Sequence, residues 1–162
     1  ICTSNRVGDA SAEAMSEAIT SMTTLNKYAA ECCRNYDIHA CTDVTGFSFL
    51  GHLHEMMNGR NACVIDSSQV PVIEEAFAHA DEFLLTAAGQ RNRNHVVTAV
   101  KFEGVAFAME EVLFDPQTSG GLLIALDPAQ GEALLKDLQA IGLPAQIVGK
   151  VVAMQDVEIT VR

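Results

Sequence analysis

The sequence predicts a fold of the α+β or α/β class, in which a mixed β-sheet is flanked by layers of helices. Short β-prone runs alternate along the 162 residues with longer segments whose apolar residues recur at helical spacing. Apolar residues make up 49% of the chain, which is enough to bury a substantial core. No internal repeat or low-complexity linker divides the pattern, so a single domain over 1–162 is expected.

The first half of the chain is predicted to alternate helices with short strands. Its helical segments carry apolar residues three or four positions apart, and its strands are short runs bounded by turn residues. The predicted elements are an irregular lead-in over 1–7, a long helix over 8–34, a strand over 38–42, a helix over 45–58, a strand over 62–66 and a helix over 71–81.

The second half ends in a clear strand, helix and two further strands. Asp127 followed by Pro128 predicts a helix start, and Gly142 predicts its end. The close basic pair Arg91 and Arg93 could face an anion or lie in a solvated loop. The predicted elements are a short helical or irregular segment over 82–88, a polar loop over 89–95, an extended segment over 96–108, a strand over 122–126, a helix over 128–141 and strands over 146–153 and 157–161.

The charge balance limits the partners of this chain. Its formal net charge is −11, and its few lysines are scattered rather than clustered. Duplex DNA or RNA binding needs grouped Lys and Arg, so no direct nucleic-acid partner is expected. An acidic surface also repels a polyphosphate unless divalent cations lie between them.

Cysteine usage and hydropathy indicate a reducing, cytoplasmic location. The five cysteines are odd in number and none has Cys-x-x-Cys spacing, which disfavours zinc and disulfide frameworks. Cys32, Cys41 and Cys63 fall in apolar patterns and are predicted to be buried. No apolar run approaches the roughly 20 residues of a membrane span. The chain begins at Ile1 rather than Met, which suggests a piece of a longer protein.

The first candidate site is a carboxylate at a strand end. Asp43 follows the predicted strand, and residues 43–52 read Asp-Val-Thr-Gly-Phe-Ser-Phe-Leu-Gly-His. A carboxylate beside a helix N-terminus can bind a metal or a phosphate-bound metal. Asp43 or Thr45 could instead merely cap the following helix. Thr42, Thr45 and Gly46 are candidate supporting residues of the metal site, and for them too simple helix capping is the alternative.

The second candidate site is a glycine-containing loop. Residues 115–123 read Asp-Pro-Gln-Thr-Ser-Gly-Gly-Leu-Leu. Gly120 and Gly121 are expected to take positive φ and to expose successive N–H groups, while Thr118 and Ser119 add hydroxyls. Such a loop can hold an anion or position a neighbouring domain, and these four residues are the candidate cofactor contacts. The phosphate-loop pattern Gly-x-x-x-x-Gly-Lys-Ser is absent.

Together the two motifs, about 70 residues apart, resemble the signatures of the C-terminal half of selenophosphate synthetase (selenide, water dikinase). That family is related to aminoimidazole ribonucleotide (AIR) synthetase. The resemblance covers essentially the whole chain but about half of the enzyme. This chain departs at Ser48 and Phe49, where the family more often has Gly and Leu. A serine inside a helix costs little, so we expect no loss of function from Ser48.

The resemblance implies a fold, a reaction and a metal. The fold is that of the AIR synthetase C-terminal domain, and the reaction converts ATP, selenide and water to selenophosphate, AMP and phosphate. Asp43 matches the position of a magnesium ligand. The reactive Cys or selenocysteine, its Lys and most of the ATP site belong to the N-terminal half, so no catalytic residue is expected here. The family further implies a homodimer, and the isolated chain is expected to be inactive.

Two other interpretations stay open at this point. The chain could come from another ATP-dependent enzyme of the same superfamily, such as AIR synthetase or thiamine-monophosphate kinase. It could also be a non-catalytic binding or dimerisation module in which Asp43 is only a cap. His52 and His54 are expected to be solvent-facing or hydrogen-bonded, because two histidines two positions apart on a helix point in different directions.

Overall fold

A computed structural model describes residues 1–162, and its strands and helices are mixed along the chain as the sequence predicts. Helices flank the β-structure, which confirms the predicted class. The β-structure has two parts, a four-stranded mixed sheet and a separate two-stranded antiparallel ribbon. The ribbon consists of β1 and β4, the two strands that adjoin the candidate site motifs.

The eight helices have bounds that differ in places from the sequence pattern. They are α1 (Cys2–Val7), α2 (Ala12–Thr23), α3 (Lys27–Cys33), α4 (Ser48–Met57), α5 (Glu75–Asp81), α6 (Ala87–Val96), α7 (Phe107–Phe114) and α8 (Pro128–Ala140). The six strands are β1 (Ile38–Asp43), β2 (Asn61–Ile65), β3 (Val100–Phe102), β4 (Leu122–Leu126), β5 (Gly149–Ala153) and β6 (Ile159–Val161).

The four-stranded sheet has the order β3-β6-β2-β5. Strand β6 runs parallel to both of its neighbours, β3 and β2, whereas β5 is antiparallel to β2. Strands β5 and β6 are consecutive in sequence but do not pair, because β2 lies between them. In the ribbon, β1 pairs with β4 so that Asp43 stands opposite Leu122.

Two apolar clusters of unequal size hold these elements together. The larger has 14 buried residues, drawn mainly from α4, α7, β2 and β6, and includes Leu50, Phe114 and Ile159, none of which is exposed. The smaller has three buried residues, Ala29, Leu134 and Leu138, and joins α3 and α8 to the partly buried side chains of the ribbon. The core therefore lies mostly between the four-stranded sheet and its helices.

The N-terminal segment departs from the sequence prediction. Residues 1–7 are helical instead of irregular, and the predicted long helix is interrupted between Thr23 and Lys27. Near the interruption the hydroxyls of Thr20, Thr23 and Thr24 donate to backbone carbonyls three or four residues earlier. Such bonds compete with the helical backbone and favour an end or a bend. The apolar spacing alone did not reveal this break.

The middle of the chain contains more helix than the sequence predicts. The segment 89–95, predicted to be a loop, lies within α6. The segment predicted to be extended over 96–108 contains the end of α6, a 3-10 turn over Val97–Ala99, the short strand β3 and the start of α7. Thr86 caps α6 by accepting the Gly89 N–H at 2.9 Å. Helix α5 begins at Glu75 rather than at Pro71, so Pro71 does not open it.

All five cysteines are free thiols, and their burial is only partly as predicted. Cys63 is buried, and burial raises the pKa of its thiol to about 12. Cys32 is half-buried. Cys41 is exposed because burial alternates along β1 and Cys41 lies on the exposed face of that strand. None of the eight helices combines the length and the apolar character that crossing a membrane requires.

Candidate functional site

The two motifs meet where β1 ends and β4 begins. Beyond the last ladder pair, the Val44 N–H donates to the Gly121 carbonyl at 2.9 Å, and the Gly120 N–H donates to the Val44 carbonyl at 2.9 Å. One residue further, the Gln117 N–H donates to the Thr45 carbonyl at 3.0 Å. Two segments about 70 residues apart in sequence therefore form one continuous hydrogen-bonded surface.

Asp43 is exposed at the end of β1, and no group of this chain donates a hydrogen bond to its carboxylate. Helix α4 has Phe47 at its N-cap position and no side-chain cap. Neither Asp43 nor Thr45 therefore caps this helix, and the simpler explanation of the motif is wrong. An exposed carboxylate with free lone pairs suits one coordination position of a hard cation such as Mg²⁺.

The chain by itself does not build a complete metal site. Nowhere do three or more His, Cys, Asp or Glu side chains converge in a way that could hold an ion. Magnesium in proteins often has only one or two carboxylate ligands and takes its other ligands from waters and substrate phosphates. Asp43 fits that pattern as a single ligand, with the rest of the coordination sphere supplied from outside this chain.

The glycines of the second motif do not have the predicted conformation. Neither Gly120 nor Gly121 has positive φ. Gly120 is required for close approach, since an added Cβ would lie 2.5 Å from the Val44 carbonyl oxygen, whereas one at Gly121 would meet nothing within 4 Å. The Gly120 N–H is already bonded to Val44, so it is not available to an anion. The hydroxyl groups of Thr118 and Ser119 make no hydrogen bond within the chain.

Helix α6 anchors both loops, a role that the sequence did not suggest. The Asn92 side chain donates to the Gly46 carbonyl at 3.0 Å and to the Phe114 carbonyl at 3.1 Å. The Thr86 hydroxyl donates to Asp115 Oδ1 at 2.9 Å. Burial raises the pKa of the Asp115 carboxyl, and the Thr86 hydrogen bond opposes that shift. The only local signals for this helix were Thr86, which can act as an N-cap, and the polar residues over 89–95.

His52 is part of the same site. It is buried, and its Nε2 lies 3.0 Å from Thr45 Oγ1 while its Nδ1 lies 3.0 Å from Glu55 Oε2. The ring of Phe47, which is exposed, lies against it at a centroid distance of 5.6 Å. His54 instead bonds Glu158 at 3.0 Å. Both histidines are thus hydrogen-bonded, one of the two outcomes expected from the sequence.

Arg93 and Ser48 have roles that the sequence did not indicate. Arg93 binds Glu110 at 3.0 Å and Glu111 at 2.7 Å, so this arginine stabilises the fold and is not a free anion contact. Arg91 is exposed on the same helix. Ser48 is not inside a helix but at its first position with φ of 72°, a conformation in which Gly is the least strained residue.

A large cleft of about 1600 Å³ opens beside the second motif. It is lined predominantly by apolar side chains, and the loop 115–121 together with Val44 and Gly46 forms part of its wall. Asp43, Thr45 and His52 are not among its lining residues. The two motifs are therefore joined through the backbone and both contribute to the wall of this cleft, although Asp43 itself does not line it.

Comparison with known proteins identifies the family of this chain. The family described as "AIR synthase related protein, C-terminal domain" matches residues 3–162. This chain belongs to that family. The assignment covers nearly every residue and agrees with the resemblance drawn from the two motifs.

Two similar curated proteins are named selenide, water dikinase. The selenide, water dikinase of Agathobacter rectalis is 57% identical over 162 residues, which is 99% of this chain and 47% of that protein. The selenide, water dikinase of Desulfitobacterium hafniense strain Y51 is 44% identical over 153 residues, covering 94% of this chain and 45% of that protein. The chain thus spans about half the length of the curated relatives it matches.

Among solved structures, the chain is similar to E. coli HypE, a hydrogenase maturation protein. The TM-score is 0.48 at 19% identity, over 81% of this chain and 34% of that one. A similarity of this size has no bearing on function.

Proposed function

We propose that this chain is the C-terminal domain of a selenophosphate synthetase, an enzyme that forms selenophosphate, AMP and phosphate from ATP, selenide and water. The observation that carries the proposal is the hydrogen-bonded junction of the two motifs, which leaves the Asp43 carboxylate free. The high identity to selenide, water dikinases over the whole chain supports the same conclusion.

In this proposal Asp43 supplies one oxygen ligand to a magnesium ion that also binds the phosphates of ATP. The ion would neutralise charge on the polyphosphate and orient it for transfer. The net charge of −11 favours such a bridge, because the acidic surface of this domain repels a polyphosphate unless cations lie between them. Asp43 lies at the end of a paired strand, so its position is fixed by the ribbon.

The second motif has a different proposed part. Thr118, Ser119 and Gly121 would contact the phosphates or the neighbouring half of the enzyme through hydroxyl and N–H groups. Gly120 contributes differently, since its contact with Val44 joins the two motifs and its N–H is already bonded. Three of the four candidate residues therefore remain proposed phosphate or domain contacts, and Gly120 has a structural role instead.

The remaining machinery would come from outside this chain. The N-terminal half of the enzyme would supply the reactive Cys or selenocysteine, its Lys and most of the contacts to ATP. We further propose a cytoplasmic homodimer of the complete enzyme. The isolated chain is expected to be inactive, because it has neither a nucleotide cradle nor a full set of metal ligands.

The test is an aspartate substitution in the complete enzyme. Product formation from ATP, Mg²⁺ and selenide is followed by phosphorus NMR, which separates AMP from selenophosphate. Asp43→Asn removes the ligand charge with little change in shape and should lower turnover roughly 100-fold or more, since metal clamping is worth several kcal/mol. The matched control is Asp37→Asn, a carboxylate just before β1 whose side chain is 81% exposed.

The outcomes separate the enzyme from a binding module. Loss of product with Asp43→Asn but not with Asp37→Asn supports the metal role. Full magnesium-dependent turnover in both variants would show that Asp43 is not a metal ligand, and it would favour a non-catalytic binding or dimerisation role for this domain. A wild-type enzyme that makes AMP but no selenophosphate would point to another ATP-dependent reaction of the superfamily.

A further inference from the structure

Three side chains that the proposed reaction does not yet use form a hydrogen-bonded chain at the start of α4. Thr45 Oγ1, His52 and Glu55 are linked by two contacts of 3.0 Å. His52 is 6% exposed, whereas the side chain of Glu55 is 57% exposed. A buried imidazole with both ring nitrogens engaged is fixed in orientation, and its partners determine which nitrogen carries the proton.

The direction of these bonds follows from the chemistry of the carboxylate. An ionised carboxylate only accepts hydrogen bonds, so His52 Nδ1 carries the proton donated to Glu55. In a neutral imidazole the other nitrogen, Nε2, is then an acceptor. With His52 in that neutral tautomer, the Thr45 hydroxyl donates to His52 Nε2 across the 3.0 Å contact.

A threonine hydroxyl has a single proton, and with Nε2 of His52 as acceptor the Thr45 proton is used in that bond. What Thr45 Oγ1 presents to its surroundings is only a pair of acceptor sites. Such a group suits a donor, such as water bound to a cation, and cannot donate to a phosphate oxygen. Thr45 is two residues after Asp43, in a segment whose backbone is held by Gly121, Gly120 and Gln117.

We infer that His52 and Glu55 are positioning residues that orient the Thr45 hydroxyl to accept a hydrogen bond from the hydration shell of the cation held by Asp43. The inference rests on the proposed function, and it adds residues and a direction of hydrogen bonding to that site. Magnesium keeps several of its waters in protein sites, and these waters are strong donors. Outer contacts of this kind typically change metal affinity by about 10- to 100-fold.

The experiment is a double-substitution cycle in the complete enzyme. The variants are Thr45→Val, which removes the hydroxyl at nearly constant shape, Glu55→Ala, and the two combined. The Mg²⁺ dissociation constant is measured by calorimetry with a non-hydrolysable ATP analogue present. Each single change should raise it about tenfold, and the double variant should match Thr45→Val alone, because Glu55 acts through Thr45.

Two further variants are controls for a merely structural role. Glu55→Gln keeps an oxygen that can accept from His52 Nδ1, so it should restore most of the Mg²⁺ affinity lost in Glu55→Ala. His39→Gln changes an exposed histidine on β1 and should leave the affinity unchanged. Melting temperatures of all variants are recorded without magnesium, to separate folding from metal binding.

Nitrogen NMR of the imidazole gives a readout without turnover. His52 should show the Nδ1–H tautomer in the wild type and lose that preference in Glu55→Ala. An Nε2–H tautomer in the wild type, additive effects in the cycle, or lowered melting temperatures with unchanged Mg²⁺ affinity would each overturn the inference. A wild-type enzyme that makes no selenophosphate would instead overturn the proposed function, since neither readout depends on that product.

Discussion

The molecule has two sides that are built differently. The sheet side comprises the four-stranded sheet and helices α4 to α7, and it contains most of the cluster of 14 buried apolar residues. The ribbon side comprises β1, β4, α3 and α8, and only three of its residues form a buried cluster. Stability is therefore expected to reside mainly on the sheet side, while the ribbon side carries the exposed Asp43.

The candidate site lies at the junction between these two sides, which we call the seam; it consists of residues 43–46 and the loop 115–121. Asp43 ends a ribbon strand, and the helix that begins five residues later packs into the large cluster. The loop 115–121 runs the other way along the chain: it leaves the large cluster at Phe114 and leads into the ribbon strand β4. An exposed site can thus be held rigidly, because each of its loops has one end in the main core.

The largest expected change in stability is obtained by replacing a buried leucine with alanine, and the two apolar clusters should respond to this replacement differently. Leu50→Ala, in the large cluster, should lower the free energy of unfolding by about 4 kcal/mol, because its site is fully enclosed. Leu134→Ala, in the small cluster, should cost only about 2 kcal/mol, because partly exposed neighbours can relax around it. Urea unfolding of both variants measures the difference, and equal losses would remove the distinction between the two sides.

A buried ion pair gives the second contrast. Arg93→Met should cost about 3 kcal/mol, because it leaves the carboxylate of Glu111, whose side chain is 5% exposed, without a cation. Arg91→Met, on the same helix but exposed, should change stability by less than about 0.5 kcal/mol. Thermal and urea unfolding test the pair. Similar effects of the two changes would show that Arg93 is not a core residue of the sheet side.

The smallest of the three effects concerns the seam itself. Gly120→Ala forces a Cβ toward the Val44 carbonyl and should cost about 2 kcal/mol, with the loops of both motifs displaced. Gly121→Ala meets no neighbour and has no positive φ, so it should be neutral or slightly stabilising. Amide hydrogen exchange at Val44 and Gln117 reports the seam directly. Unchanged protection in Gly120→Ala would contradict the close-packed junction.

Local sequence signals predicted several elements correctly. Helix α8 begins and ends near the signals expected of it, with Asp127 accepting the Ala129 N–H at 2.8 Å and Pro128 in the first turn. Strands β1 and β4 lie at the predicted positions. Each of these depends on contacts within a few residues, such as a cap, a proline or a run of β-prone side chains, so the local sequence is sufficient.

Elements that depend on distant partners were predicted poorly. Helix α6 is polar, and it is held by Arg93 binding Glu110 and Glu111 and by Asn92 binding two carbonyls of other segments. The break before α3 is fixed partly by Asn26, whose side chain donates to the Gly120 carbonyl 94 residues away. No window of sequence contains both members of such a contact, so periodicity alone predicted a loop and an unbroken helix.

The sequence by itself determined the family, the mixed class of helices and strands, and the two motifs that carry Asp43 and the loop 118–121. Only the tertiary structure decided that the motifs form one junction, that Gly120 is needed for close approach to Val44, and that His52 joins Thr45 to Glu55. The reason is physical. Motifs and caps are local patterns, whereas steric fit and hydrogen-bond direction depend on which distant segments the core brings together.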